Sequence, residues 1–255
     1  MMNSIEFNNV NFRYDAERQI LDNVSFSVKA GESIGIVGSN GAGKSTMMRL
    51  ILGLEQADEG NITVCGMEVN KNNVTSIRKK VGYVMQDSDN QLFMPTVYKD
   101  ICFGPKNYGY SDEEIELKAN KALELTGIMG IKDKAVYKLS CGEKKLAAIA
   151  TILAMDPEII IMDEPESSLD PMNRKRLIDI TNSLDKTKII VSHDLDFVWE
   201  TTDKVMLIGE GEIKAFGDTK TILSDEALLN KYSLIIPNCA IIKMLEEKVL
   251  FQKTQ

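Results

Sequence analysis

The stretch "GSNGAGKST", Gly38 to Thr46, constrains this chain more than any other, because it follows the apolar run "SIGIV" and opens a helical pattern. Glycines without side chains let successive backbone N–H groups wrap an anion, and the positive end of the following helix points at the same place. Strand, glycine-rich loop and helix start together specify a phosphate site in a layered α/β fold. Within the loop of Gly38, Ser39, Asn40, Gly41, Ala42, Gly43, Lys44, Ser45 and Thr46, Lys44 supplies a point charge and Ser45 a hydroxyl for Mg²⁺. The loop alone does not say which nucleotide it holds or to what use. No N-K-x-D stretch is present to read guanine.

The remaining chain alternates as such a fold requires. "IEFNNVNFRY" and "NVSFSV" read as half-buried strands, "DEGNITVCG" as a strand after a turn, and "RKKVGYVMQD" as another buried strand. A helix is expected between Gly43 and Leu54. From Pro95 to Met155 strand signals nearly vanish, and Ser111 with Glu114 forms a capping box before a helix with Ile115, Ala119, Ala122 and Leu123 on one face. Alternation then returns: "EIIIMDE", a helix from about Pro171 to Leu184, "TKIIVSHD", a short helix to Thr201, and a hairpin turning at Gly209 to Gly211. This pattern predicts a largely parallel sheet. The expected layout is one domain over 1–224 with a helical insert at about 87–155, then a helical extension over 225–255 interrupted at Pro237.

Composition closes off several classes. With 44% hydrophobic and 27% charged residues among 255, the chain has the balance of an ordinary globular protein. Its net charge of −8 offers no basic footprint for nucleic acid. Cys65, Cys102, Cys141 and Cys239 lie far apart with no C-x-x-C pair, which argues against a zinc cluster or a disulfide scaffold and fits a reducing cytosol. The first residues lack a signal-peptide pattern, and no apolar run approaches the ~18 residues of a membrane span, so work at a membrane would run through partners.

Two further motifs carry chemistry. "EIIIMDEP" ends a buried strand in Asp163 and Glu164, where one carboxylate can orient Mg²⁺, directly or through water, and the next can polarise an attacking water. "LSCGE" starts a helix about twenty residues earlier, so the Ser140 hydroxyl and nearby N–H groups form a second anion site.

That stretch resembles the LSGGQ signature of ATP-binding-cassette ATPases, and the family's other elements follow in order. Gln86 in "VGYVMQD" matches the Q-loop, "SSLD" with Ser168, Leu169 and Asp170 matches the D-loop, and His193, the only histidine, matches the switch histidine. Tyr14 matches the aromatic that stacks on adenine, or else is a strand aromatic facing the core. The resemblance spans residues 4 to 224. It implies a P-loop NTPase with a RecA-like core, an antiparallel β subdomain, a helical signature subdomain and a short C-terminal helical extension. It also implies ATP and Mg²⁺ as cofactors, with Ser45, Gln86 and Asp163 at the metal and Glu164, His193 and Gln86 in catalysis. Ser140, Cys141, Gly142 and Glu143 would then act in trans, on the nucleotide of a second ATPase subunit, identical or paralogous.

"QDSDNQLFMPTVYKDICFGPKNYG" and "LLNKYSLIIP" are similar to the matching segments of importers of the energy-coupling-factor type, which carry cobalt, nickel or vitamins. The similarity implies a membrane-embedded coupling subunit, a substrate-capturing membrane subunit and a peripheral place at the cytoplasmic face of the cell membrane. Asp87 and Asp89 read either as an acidic groove for an arginine of the coupling subunit or as loop acids facing water. A soluble cassette ATPase of iron–sulfur assembly, translation or repair remains the alternative, and a phosphate-loop kinase a third class. The chain departs from the family pattern at Cys141, Glu143, Leu146 (where these importers often carry arginine), Glu166 and Ser168. Cys141 would crowd closure of the dimer or point into the helical subdomain as a small apolar residue.

Overall fold

Two sheets flank the phosphate loop in the computed structural model, which describes residues 3–15 and 18–253. Residues 1–2 and 254–255, the outer ends of the two expected segments, lie outside the described residues. Strands β1 (Asn3–Arg13) and β2 (Gln19–Lys29) pair antiparallel, setting Ile5 opposite Val28 and Phe7 opposite Phe26. β3 (Ser33–Val37), buried at all five positions, feeds the loop and α1 (Lys44–Ile51). β4 (Glu59–Val64) and β5 (Met67–Glu68) return to the first sheet, whose order is β2-β1-β4-β5 with every pair antiparallel.

Next, α2 (Val74–Lys80) leads into β6 (Val81–Val84). The strand expected over "RKKVGYVMQD" is therefore only four residues long. Arg78 to Lys80 close a helix anchored by buried Ile77, and the Arg78 guanidinium donates to the carbonyls of Leu52 and Gly53 just beyond α1. Between β6 and the next strand lie α3 (Val97–Asn107), α4 (Asp112–Thr126) and α5 (Cys141–Leu153). Alanines 119 and 122 of α4 and alanines 147 and 150 of α5 share one buried cluster with Leu123 and Ile101, and such small side chains let the helices approach closely.

The second sheet is completed by β7 (Ile159–Asp163), then α6 (Pro171–Ser183), β8 (Thr187–Val191), α7 (Leu195–Thr201), β9 (Lys204–Gly209) and β10 (Glu212–Asp218). Its order is β10-β9-β3-β8-β7-β6, parallel throughout except for the β9–β10 hairpin. Parallel strands end on one edge. Val37, Val84, Asp163 and Val191 therefore open onto the same crevice, the usual ligand position in an open α/β sheet.

The chain ends with α8 (Thr219–Leu223), α9 (Glu226–Lys231) and α10 (Asn238–Lys253). The extension beyond 224 rests on the central sheet: Leu229, Tyr232, Leu234 and Ile236 pack with Val37, Val205 and Leu207. Asp196 on α7 then accepts hydrogen bonds from the Cys239 N–H at 2.8 Å and the Asn238 amide at 2.9 Å, fixing the start of α10.

Candidate functional site

The loop after β3 is shaped by what glycine permits. A Cβ on Gly38, at φ 151°, would fall 2.2 Å from the Ile208 carbonyl, and one on Gly43, at φ 104°, would meet Leu21 at 2.7 Å. Only bare backbone lets the loop lie this close to β9 and β2. The Lys44 ammonium, almost fully buried, donates to the carbonyls of Gly38 at 2.7 Å and Ser39 at 3.0 Å. Burial pushes its pKa down, while Glu164 and Asp163 pull it up. A cavity of about 640 Å³ opens above, lined by Tyr14, Arg18, Lys44, Ser45, Gln86, Asp163, Glu164 and His193 among others. Tyr14 is half-exposed at this cavity, its ring edge-on to Phe12 and its hydroxyl 3.4 Å from that of Thr46, so the core-facing alternative for Tyr14 does not hold.

The acids at the end of β7 are held individually. The Tyr83 hydroxyl, on neighbouring β6, donates to Asp163 at 2.8 Å. Burial and the Asp163 charge push the Tyr83 phenol far up, so it stays a donor. Glu164 sits in the left-handed region at φ 43°, and its N–H donates to the Val191 carbonyl at 2.8 Å. A non-glycine residue there stores strain, which persists where surrounding bonds over-determine the backbone. The turn aims the Glu164 carboxylate between two partners: the Gln86 amide donates to one oxygen at 2.6 Å, and His193 Nε2 lies 3.2 Å from the other. Gln86 and His193 stand just beyond β6 and β8, which flank β7.

Behind this pair, the Ser192 hydroxyl donates to Glu166, whose other oxygen is buried without a hydrogen-bond partner among the described residues. Burial pushes the Glu166 carboxyl up, and the charges of Asp194 and Glu164 add to that rise.

The "LSCGE" stretch folds as a capped helix start. The Glu143 N–H donates to Ser140 Oγ at 3.3 Å, and the Glu143 carboxylate accepts the Ser140 N–H at 2.7 Å and the Lys134 ammonium at 2.9 Å. Lys134 chiefly, then the Ser140 N–H, holds the Glu143 carboxyl below its ordinary range. Gly142 is buried against α6, where a Cβ would sit 2.5 Å from the Asn173 amide. Cys141 is exposed and lines a separate cavity of about 270 Å³ with Gln86, Lys144, Ser167 and Ser168, so the expectation that it enters the helical core does not hold. Leu146 does enter that core.

One chain thus gathers Tyr14, the phosphate loop, Gln86, Asp163, Glu164 and His193 around one cavity, and leaves the rest apart. Ser140, Cys141, Gly142 and Glu143, with Ser168, Leu169 and Asp170, do not line it. Asp170 instead caps α6 through the N–H groups of Met172 and Asn173, both at 3.0 Å. Asp87 caps a short turn through the Asp89 N–H, and Asp89 pairs with Lys144.

Sequence reasoning missed Tyr83, Ser192 and Lys145. Tyr83 could have been found by strand period, as it shares a face with Val81 beside the acids. Lys145 gave no such signal, because it stands beside Lys144 in the polar first turns of α5.

Fold and site define a phosphate-loop nucleotide hydrolase: a glycine-rich loop with a buried lysine, and two acids at the end of β7, one strand removed from β3 in the same parallel sheet. The ABC transporter family model matches residues 21–167. A Streptomyces coelicolor protein named as an ABC transporter ATP-binding protein is 41% identical over 92% of this chain and 90% of its own length. The energy-coupling factor transporter ATP-binding protein EcfA of Carboxydothermus hydrogenoformans is 38% identical over 96% of this chain and 90% of its own. The structure of CbiO1 from Clostridium perfringens, part of the ABC transporter complex CbiONQ, superposes with a TM-score of 0.82 at 32% identity, covering 96% of this chain and 100% of that one. This chain belongs to the ABC transporter ATPases, with their α/β cassette fold and their ATP-hydrolysing activity.

Proposed function

We propose that this chain is the ATP-hydrolysing subunit of an importer of the energy-coupling-factor type. The observation that carries the reading is the Glu164 carboxylate, held between Gln86 and His193 in the cavity that also contains Lys44. There the loop N–H groups and Lys44 bind the outer phosphates, and the Tyr14 ring stacks on the adenine. Glu164 orients the attacking water and accepts its proton, while His193 and Gln86 fix the carboxylate in line. The Ser45 hydroxyl, the Gln86 side chain and the Asp163 carboxylate line the same cavity and offer the hard oxygen donors that suit Mg²⁺. When bound, that ion neutralises charge on the phosphates.

The signature residues 140–143 and D-loop residues 168–170 stand outside the cavity of their own chain, so they serve the nucleotide of a second ATPase subunit. Closure on ATP and reopening after hydrolysis then move the subunits as rigid bodies. Relatives named as an energy-coupling factor transporter protein and as part of an ABC transporter complex support further transporter subunits, which we read as a membrane-embedded coupling subunit and a substrate-capturing membrane subunit. The cargo we assign, cobalt, nickel or vitamins, rests on the resemblance of residues 86–109 to importers of this type. No helix of the described residues is long and apolar enough to cross a membrane. In this reading the chain docks at the cytoplasmic face of the membrane through those partners.

A mainly apolar groove of about 330 Å³ beside β6, lined by Tyr83, Phe93, Phe103, Tyr108 and Met155 among others, suits a helix from the coupling subunit. Phe93 and Phe103 are exposed there and pack edge-to-face at 4.8 Å. The affinity-tagged chain, extracted from its native membranes, should carry integral-membrane subunits that the double variant Phe93→Asp, Phe103→Asp loses. Undiminished capture by the double variant removes this groove from the account, and no membrane partner in the parent preparation overturns the importer reading.

A further inference from the structure

The Lys145 side chain has no part in the chemistry described above, yet it is the charged group most deeply set beside it. It projects from α5, only 3% exposed, among residues as apolar as Leu146, Ala147 and Ile149. Its ammonium donates to the Gln86 carbonyl at 2.6 Å and reaches the Met85 carbonyl at 3.4 Å. Both carbonyls lie just beyond Val84, the last residue of β6 to pair in the sheet. A methionine or leucine would fill this volume without the dehydration that a buried ammonium suffers, so the charge is retained against a cost. Burial pushes its pKa down, while the carboxylate of Glu166 leads the charges that pull it back up, followed by Cys141, Asp87 and Asp163.

The same loop is bound to α5 through two more of its residues, Gln91 and Asp89. The Gln91 side chain accepts the Met85 N–H at 3.0 Å and donates to the Ala148 carbonyl at 2.8 Å, and Lys144 pairs with Asp89. Residues 85–91 are therefore fastened to the helix that begins at Ser140. Of these ties only Lys145 grips Gln86 itself, whose side-chain amide donates to Glu164 at 2.6 Å.

We propose that Lys145 is a positioning residue: it holds the Gln86 backbone from α5, so that displacement of the signature helix is passed to the Gln86–Glu164 contact. A shift of α5 on closure then re-aims the carboxylate that activates water, without Lys145 touching nucleotide. The proposal rests on Glu164 being the residue that activates water.

The test is a double-mutant cycle on the purified full chain, measuring steady-state hydrolysis of Mg-ATP. Lys145→Met should lower kcat about tenfold, because small misplacements of a catalytic group cost that much or more. KM should stay within about twofold, since no contact to bound nucleotide is lost. Lys145→Arg, which keeps the donors and the charge, should recover most of the loss. In the Gln86→Ala background, Lys145→Met should lower kcat no further, because the group it positions is gone. Losses that multiply in the double variant, a raised KM with unchanged kcat, or parental activity in Lys145→Met each overturn the proposal. Thermal unfolding of each variant shows whether it folds, and Lys145→Gln enters the same cycle, judged by the same outcomes, if Lys145→Met does not. Glu164→Gln is assayed in parallel: activity there removes the premise about Glu164, whereas multiplied losses with an inactive Glu164→Gln remove Lys145 alone.

Discussion

Glu166 sits two residues beyond Glu164, and its surroundings give it a testable signature. Its ordinary value is 4.5, and burial holds it higher in the fold. The unfolded chain therefore ionises this carboxyl first, and the stability contributed by its neutral form is complete below the unfolded value and lost as pH rises through the folded one. Glu166→Gln is neutral at every pH. It should match the parent in mild acid and gain thermal stability over it, by a few degrees, as pH rises. Melting temperatures from about pH 4 to about pH 8 check this, and a parent–variant difference that does not change with pH contradicts it. At this scale much of the site was legible in the sequence, because Lys44, Glu164, Gln86 and His193 follow fixed strand-loop geometry. Ser192 and Lys145 were not, since each acts through a contact between segments far apart in sequence, and Tyr83 showed only in the period of its strand.

Among the elements, α4 and α5 offer an internal comparison, because both begin with a serine–glutamate capping box. Ser111→Ala and Ser140→Ala should each destabilise the fold by about 1 kcal/mol, the usual worth of an N-cap. Only Ser140→Ala should also slow ATP turnover, since Ser140 faces a partner's nucleotide in the proposed dimer. Paired denaturation and turnover measurements decide this, and equal turnover in the two variants removes Ser140 from the mechanism. Both boxes could be read from an S-x-x-E spacing. By contrast, α2 was hidden because its run of cations has one buried residue, Ile77, too few to show a helical period. The tail was read as helical, but its packing against β9 depends on Leu229, Tyr232 and Leu234 meeting a strand more than twenty residues away.

For the whole molecule, the parallel order β9-β3-β8-β7-β6 brings the residues after four strands to one crevice. Alternating strands and helices predicted that sheet, while the strand order that makes neighbours of Gln86, Glu164 and His193 emerges only in three dimensions. The same arrangement leaves Ser140 and Gly142 off the cavity, which is why the account requires a second subunit. Its central claim is that Glu164 activates water for hydrolysis at the phosphate loop, and it is tested most directly by ATP turnover of the purified parent and Glu164→Gln proteins, with bound ATP measured alongside. The account predicts that Glu164→Gln retains Mg-ATP and loses turnover by about a hundredfold or more. Turnover near the parental rate in Glu164→Gln would contradict it.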